Sequence, residues 1–431
     1  MSQHKTSQLK TWFDELEETN GDDECRAWIR RTIDCKAELA AFVAERRKGG
    51  ARGTGTYVGF LKGSFNFSFR FSFNDGQPDV IIRFPKPGHT ATAWRDEKVE
   101  NEVQVMEYLR QHTNIPIPRV HSWGLLAEGP RELGPFIIMD YIDGTLVSTI
   151  LKDPNQEDMV LNPNIDNITL DKIYDQATVT TYPPNRFSTA PFNRSSNYLK
   201  SIANEHLIHL WTQRNLSKSA EIAQQRFIAR HRFAQLISTY YPEKSDLDSG
   251  RFIPFCDDMR PSNMLVNPET LQIMAVIDLE FTNAMPAQFA QDPPWWLLLA
   301  GPEDWLERDA MDDLIALYTP RMERFLRALE RRESEQALEG KYREPAGLAL
   351  SDQMRESWNT KRFWFDYAAR KSFDVDTVYW AALHCDGQGV ELLDEETRKE
   401  MELFARRKME ELQAYKKECT ARFSKDTKNG E

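Results

Sequence analysis

Cys256-Asp257-Asp258-Met259-Arg260-Pro261-Ser262-Asn263-Met264-Leu265-Val266, followed by Val276-Ile277-Asp278-Leu279-Glu280, is the stretch that decides the fold. It sets an acid at Asp258, an amide five positions on at Asn263 and a second acid at Asp278, all oxygen donors of the kind hard cations take. Magnesium favours octahedral oxygen coordination and shares its shell with substrate phosphates, so one carboxylate and one amide oxygen suffice from the protein. Asn263 and Asp278 suit that duty. Asp258 is left as the carboxylate that orients, or takes a proton from, an attacking hydroxyl. The apolar runs Met264-Leu265-Val266 and Ile273-Met274-Ala275-Val276-Ile277 flank the turn composition Asn267-Pro268-Glu269-Thr270 and read as a hairpin. Such a hairpin brings Asn263 and Asp278 to the same end.

Together these features resemble the aminoglycoside phosphotransferase and choline-kinase-like family, whose loop reads H-G-D-x-x-x-x-N and then I-D-W-E; protein kinases share the plan. The resemblance implies that Asp258 is the catalytic aspartate, that Asn263 and Asp278 are the metal ligands, and that Glu280 is the glutamate after the metal aspartate. Two positions depart from the pattern: Cys256 stands for the histidine and Asp257 for the glycine. Arg260 lies two positions after the acid, where protein kinases carry a lysine that meets the transferred phosphate. A guanidinium there stabilises developing charge. The wording Phe-Cys-Asp-Asp-Met-Arg-Pro-Ser-Asn, with Asp292-Pro-Pro-Trp-Trp-Leu further on, resembles the fungal branch of this family.

Upstream, Phe65, Phe67, Phe69, Phe71 and Phe73 alternate with Asn66, Ser68, Arg70 and Ser72, which is strand periodicity. Asn74-Asp75-Gly76 turns the chain into Val80-Ile81-Ile82-Arg83-Phe84. The preceding glycines, Gly59 and Gly63, mark a turn whose amides can approach phosphates. By resemblance Gly63, Ser64 and Asn66 belong to a nucleotide-covering turn. Arg83 takes the strand position of the kinase lysine, with Lys86 as the alternative. Glu102, on an amphipathic helix over 97–111 with Val99, Val103, Met106 and Leu109 inward, is the partner of that cation. The apolar run ending at Met139 then resembles the linker whose backbone at Asp140, Tyr141 and Ile142 meets an adenine edge.

The chain of 431 residues is 40% hydrophobic with a formal charge of -12, which argues for a globular protein and against one built to grip nucleic acid or an anionic membrane. Its acidity suits a cationic small molecule. Five cysteines without metal-like spacing read as reduced thiols, and residues 1–20 carry no apolar core suited to secretion, so the expected location is the cytoplasm. Residues 24–47 read as one helix, and 151–196 as a long insertion with a short helix near Leu170 to Gln176. His206 and His209 read as ordinary helix positions, and Arg226, Arg230, His231 and Arg232 as a solvated basic face. Trp295 and Trp296 suit packing or an acceptor site, and Glu303, Asp304, Glu307 and Asp309 an amine-bearing acceptor. Residues 310–425 are helical in pattern, with a charged, solvated helix from Glu395 to Lys417.

The expected fold is α+β and protein-kinase-like: a small antiparallel-sheet N-lobe and a larger, mainly helical C-lobe. The linear division is an N-terminal helical extension over 1–55, a nucleotide-binding N-lobe over 56–144, a C-lobe over 145–300 containing the catalytic loop at 256–280, and helical remainder over 301–431. The resemblance implies transfer of the terminal phosphoryl group of ATP, with Mg2+, to a hydroxyl of a small molecule. Two rivals stand beside it. One is a nucleotide-binding pseudokinase or scaffold, favoured by Cys256, Asp257 and Arg83. The other is a protein kinase, disfavoured because no D-F-G or A-P-E segment follows Asp278.

Overall fold

The computed structural model describes residues 5–49, 55–152, 180–188, 191–243, 251–338, 348–385 and 390–426. Most of the 151–196 insertion, including its expected short helix, lies outside them. The chain packs as two compact units, Glu15–Thr180 with Cys256–Asn283, and Met1–Asp14 with Thr181–Phe255 and Ala284–Glu431. Both are discontinuous in sequence.

In the first unit, α1 (Glu15–Asp34) and α2 (Lys36–Arg46) replace the single helix expected over 24–47, with the break at Cys35. Strands β1 (Thr56–Lys62), β2 (Asn66–Ser72) and β3 (Val80–Pro85) precede α3 (Arg95–His112), and β4 (Val120–Gly124) and β5 (Phe136–Asp140) follow it. They form an antiparallel sheet in the order β1-β2-β3-β5-β4. Phe67 pairs with Phe84, Phe69 with Ile82 and Phe71 with Val80, so the alternation read in the sequence sets one apolar face. Trp28, Leu39 and Val43 of the first two helices pack on it. Burial of each such side chain contributes on the order of 1.5–3 kcal/mol. Because successive strand residues point to opposite faces, Ile81 and Arg83 lie on the other side. There Val99, Val103 and Met106 of α3 pack with Ile137, Met139, Val276 and Leu279.

The loop segment joins this unit through its own sheet. Strand β6 (Thr145–Leu146) leads into α4 (Val147–Leu151), and after β7 (Phe252–Cys256) the strands β8 (Met264–Val266) and β9 (Ile273–Val276) form the expected hairpin. β8 pairs with β6, in the order β6-β8-β9. The Asn267 side chain accepts the amides of Glu269 and Thr270 at 2.8 and 3.1 Å, which makes the turn. Strand β10 (Thr282–Pro286) pairs with β7.

The second unit is helical, built on helices Ser195–Thr212, Ala220–Tyr240, Met311–Leu338, Leu350–Asn359, Arg362–Arg370 and Glu395–Asp426. The basic face expected to be solvated is buried instead. Arg226 and Arg230 close on the two oxygens of Asp376 at 2.7–2.9 Å, and the three residues are 0–2% exposed. A countercharge 146 positions away in the chain is a tertiary fact that helical periodicity does not carry. His206 and His209 are buried in the same region. The N-terminal segment threads into this unit: Leu9 is fully buried, and Arg226 donates to the Lys10 carbonyl and the Thr11 hydroxyl, each at 2.8 Å.

That segment also uses the acids expected to meet an amine. Lys10 pairs with Glu307 at 2.7 Å, Asp309 accepts from Thr6 and Ser7, and Glu303 accepts the Tyr367 hydroxyl. The Asp304 carboxyl, half-buried beside Glu303 and Glu307, is pushed up to about 7 by partial burial and by those acids. Trp295 is buried in the helical core and Trp296 packs partly against it. The charged helix expected to be solvated buries Phe404, Ala405, Lys408 and Tyr415.

Candidate active site

A cavity of about 460 Å3 opens in the first unit, lined by Gly63, Ser64 and Asn66, by Arg83, by Asp140, Tyr141 and Ile142, and by Asp258, Arg260, Asn263, Asp278 and Glu280. Glu102, the expected partner of Arg83, stands behind the lining. The volume is in the range of small-molecule sites.

Its floor is the loop between β7 and β8 with the segment after β9. Asn263 donates from Nδ2 to the carbonyl and to Oδ2 of Asp258, both at 2.8 Å. An amide whose nitrogen is committed in this way keeps its oxygen as acceptor. Backbone bonds from Ile277 N to Asn263 O (2.9 Å) and from Asp257 N to Phe281 O (3.4 Å) stitch the two segments side by side. The other Asp258 oxygen, Oδ1, forms an ion pair with Arg260 Nε at 2.9 Å. Cys256, in place of the family histidine, is a thiol that burial pushes up to about 12, with the Thr282 side chain beside it.

Asp278 has φ +63°, a left-handed backbone that aspartate tolerates better than most side chains and that recurs at functional sites. Its side chain keeps 37% of its surface, and that surface faces the cleft. Burial of the carboxylate and the neighbouring Glu280 push its pKa up to about 6, against the pull of Arg83. Glu280 goes the other way: burial alone would raise it, but Lys98, Arg83 and Asn66 outweigh burial and hold it below the ordinary carboxylate range.

The opposite wall comes from the sheet. Arg83 Nη2 pairs with Glu102 of α3, while Nη1 reaches Asp278 Oδ1 at 3.2 Å. Lys86, the alternative cation, is buried and does not line the cleft. Gly63 N donates to Asn66 O at 3.0 Å and closes the turn between β1 and β2; Gly59 lies within β1, away from the lining. At the linker, Asp140 N donates to Arg119 O and Tyr141 N to Asp79 O, while the amide of Ile142, which also lines the cleft, makes no backbone bond among the described residues.

Residues 60–329 match the phosphotransferase enzyme family. The chain belongs to that family. A relative, the Clavilactone A biosynthesis cluster protein Y of Ampulloclitocybe clavipes, is 25% identical over 254 residues, covering 54% of this chain and 62% of that protein. The chain thus spans less than two thirds of the length of the curated relative it matches. Among solved structures, the ethanolamine kinase of Plasmodium vivax aligns at 12% identity over 84% of this chain and 82% of its own, with a TM-score of 0.35. A spectinomycin phosphotransferase in complex with ADP and spectinomycin aligns at 12% identity over 86% and 98%, also with a TM-score of 0.35. Family membership rests on the sequence match and not on these superpositions.

Sequence reading missed Lys98, which is 1% exposed and lies 3.1 Å from Glu280. The signal was present. Lys98 shares the inward stripe of α3 with Val99, Glu102, Val103 and Met106, where a lysine needs a buried partner.

Proposed function

We propose that this protein transfers the terminal phosphoryl group of ATP to a hydroxyl of a small molecule. The observation that carries the reading is the convergence of Asp258, Asn263 and Asp278 with the Arg83–Glu102 pair on one cavity. In this reading Ile142 N and the Asp140 carbonyl meet the base, the turn at Gly63, Ser64 and Asn66 covers the phosphates, and Arg83 steadies them. The Asn263 amide oxygen and the Asp278 carboxylate are a hard-oxygen donor set of the size Mg2+ takes when phosphates complete its shell. Bound there, Mg2+ would neutralise charge on the transferred group. Asp258 receives and orients the acceptor hydroxyl, and Arg260, released from Asp258, meets the phosphoryl charge. Catalysis comes from positioning and charge stabilisation. The acceptor is of a size to enter the cavity, and a cytoplasmic setting belongs to the same reading. No helix among the described residues is long and apolar enough to cross a membrane.

A nucleotide-binding protein without turnover is the second reading, favoured by the Arg260 ion pair on Asp258 and by Cys256. Two measurements separate them. A thermal melt with and without Mg-ATP, beside Asp278→Ala, reports the metal site. Incubation with labelled ATP and a hydroxylated metabolite pool, beside Asp258→Asn, reports transfer. Label in a metabolite fraction that vanishes with Asp258→Asn supports the kinase; a melt shift without any transfer supports the second reading.

A further inference from the structure

Helix α3 holds the Asp278–Glu280 segment at two points of opposite charge. Glu102 takes Arg83, whose other nitrogen reaches Asp278 at 3.2 Å. Four residues earlier, one turn along the same face, Lys98 Nζ lies 3.1 Å from Glu280 Oε2, with the two side chains 1% and 2% exposed. The same Glu280 oxygen accepts a hydrogen bond from Asn66 Nδ2 at 2.8 Å. Asn66 opens β2 directly after the cleft-lining turn, whose Gly63 amide bonds back to the Asn66 carbonyl. Phe65 and Phe281, the residues beside Asn66 and Glu280, pack edge to face at 5.5 Å, and the Lys98 ammonium lies 4.8 and 5.0 Å from their rings.

We propose that Lys98 is a positioning residue for the phosphate end of the cleft. It acts through Glu280, fixing that carboxylate so that it anchors the turn at Asn66 and stays off the neighbouring Asp278. The inference rests on the function proposed above. Three features favour it over a plain structural ion pair. The pair ties together three segments distant in sequence, at 63–66, 98 and 278–281. Its acid is two residues from Asp278 and lines the cleft. And a buried ion pair is seldom the most stable way to fill a core, since an apolar pair of similar volume does as well or better. Second-shell groups of this kind set the orientation of the groups they hold, and their loss typically weakens metal binding about 10–100-fold.

The test measures Mg-ADP affinity by titration calorimetry on the full chain, comparing wild type with Lys98→Met, Glu280→Gln and the double variant. Lys98→Met leaves a buried acid alone and can fail to fold; the double variant removes both charges and keeps the comparison alive. If Lys98 acts through Glu280, Glu280→Gln weakens Mg-ADP binding about tenfold. The double variant then binds within about threefold of Glu280→Gln, as two groups acting through one contact must. The role is overturned if the double variant binds like wild type, or if it binds more than about tenfold weaker than Glu280→Gln, which would give Lys98 an independent effect. A wild-type chain that binds no Mg-ADP refutes the proposed function, and the role of Lys98 with it. A wild type that binds while the double variant matches it refutes the role of Lys98 alone.

Discussion

Replacing Asp278 by asparagine should make the ligand-free protein more stable while abolishing its response to magnesium and nucleotide. The carboxyl is pushed from 3.8 up to about 6 by burial and by Glu280, which at about 1.36 kcal/mol per pH unit is a cost of about 3 kcal/mol at neutral pH. With 37% of the side chain open to the cleft, solvent screening reduces this to about 1 kcal/mol. The sign follows from proton uptake. A carboxyl whose folded-state pKa is raised binds its proton more tightly in the native state, so wild-type stability rises as pH falls from 6 toward 4, and the cost is complete above 6. Asparagine removes that cost, still accepts from Arg83, and tolerates the left-handed backbone at φ +63°. At roughly 2–4 °C per kcal/mol for a unit of this size, the melting temperature at pH 7.5 should rise by about 2–4 °C. The gain should narrow at pH 5. Calorimetric melts at the two pH values, repeated with Mg-ADP, check it. A variant that melts at or below wild type at pH 7.5, or that keeps the same gap at both pH values, refutes the account of Asp278.

Three further outcomes follow from packing and burial. Gly21→Ala should destabilise the sheet-bearing unit by about 1–3 kcal/mol, because a Cβ there would stand 2.3 Å from the Gly88 carbonyl oxygen, a backbone atom rather than the end of a flexible side chain, and the chain must shift to admit it; an unchanged urea midpoint would count against the close approach. Asp376→Asn strips Arg226 and Arg230 of their shared countercharge and should cost the helical unit about 3–5 kcal/mol; a loss below about 1 kcal/mol in urea unfolding would mean that backbone carbonyls and Thr11 suffice. Iodoacetamide at pH 7.5 should label exposed Cys385 well before Cys256, whose thiol burial pushes up to about 12; comparable labelling in native protein, read by peptide mass spectrometry, contradicts a closed loop.

What was legible in the sequence was local. Asp258, Asn263 and Asp278 sit within one short stretch whose spacing and hairpin put them at one end, and the structure brings all three to the cavity wall. The phenylalanine alternation gave β2 its buried face for the same reason, since a period of two is a property of the strand alone. Illegible features depended on partners far along the chain. Arg226 and Arg230 look like a solvated stripe until Asp376 is placed between them. Glu307 and Asp309 look free until the N-terminal segment arrives with Thr6, Ser7 and Lys10, and Glu303 until Tyr367 does. Lys98 lies between these cases: its place on the inward stripe of α3 was readable, and its partner Glu280 was not.

Cys256 and Arg260 weigh differently on whether the protein turns over. Cys256 replaces a histidine, yet the loop does not rely on that side chain for its shape. Asn263 clamps Asp258 twice, and the backbones at Asp257 and Asn263 bond to Phe281 and Ile277. A small half-buried thiol fills the position without leaving a charge, so the substitution alone does not argue for a dead enzyme. Arg260 is the stronger constraint, because in the ligand-free geometry its guanidinium occupies the Asp258 oxygen that Asn263 does not. In the proposed reaction the acceptor hydroxyl takes that oxygen. The arginine would then exchange a carboxylate for the incoming phosphate, an anion its planar fork matches at least as well. Turnover then depends on whether bound nucleotide draws Arg260 away from Asp258, rather than on the histidine the loop lacks.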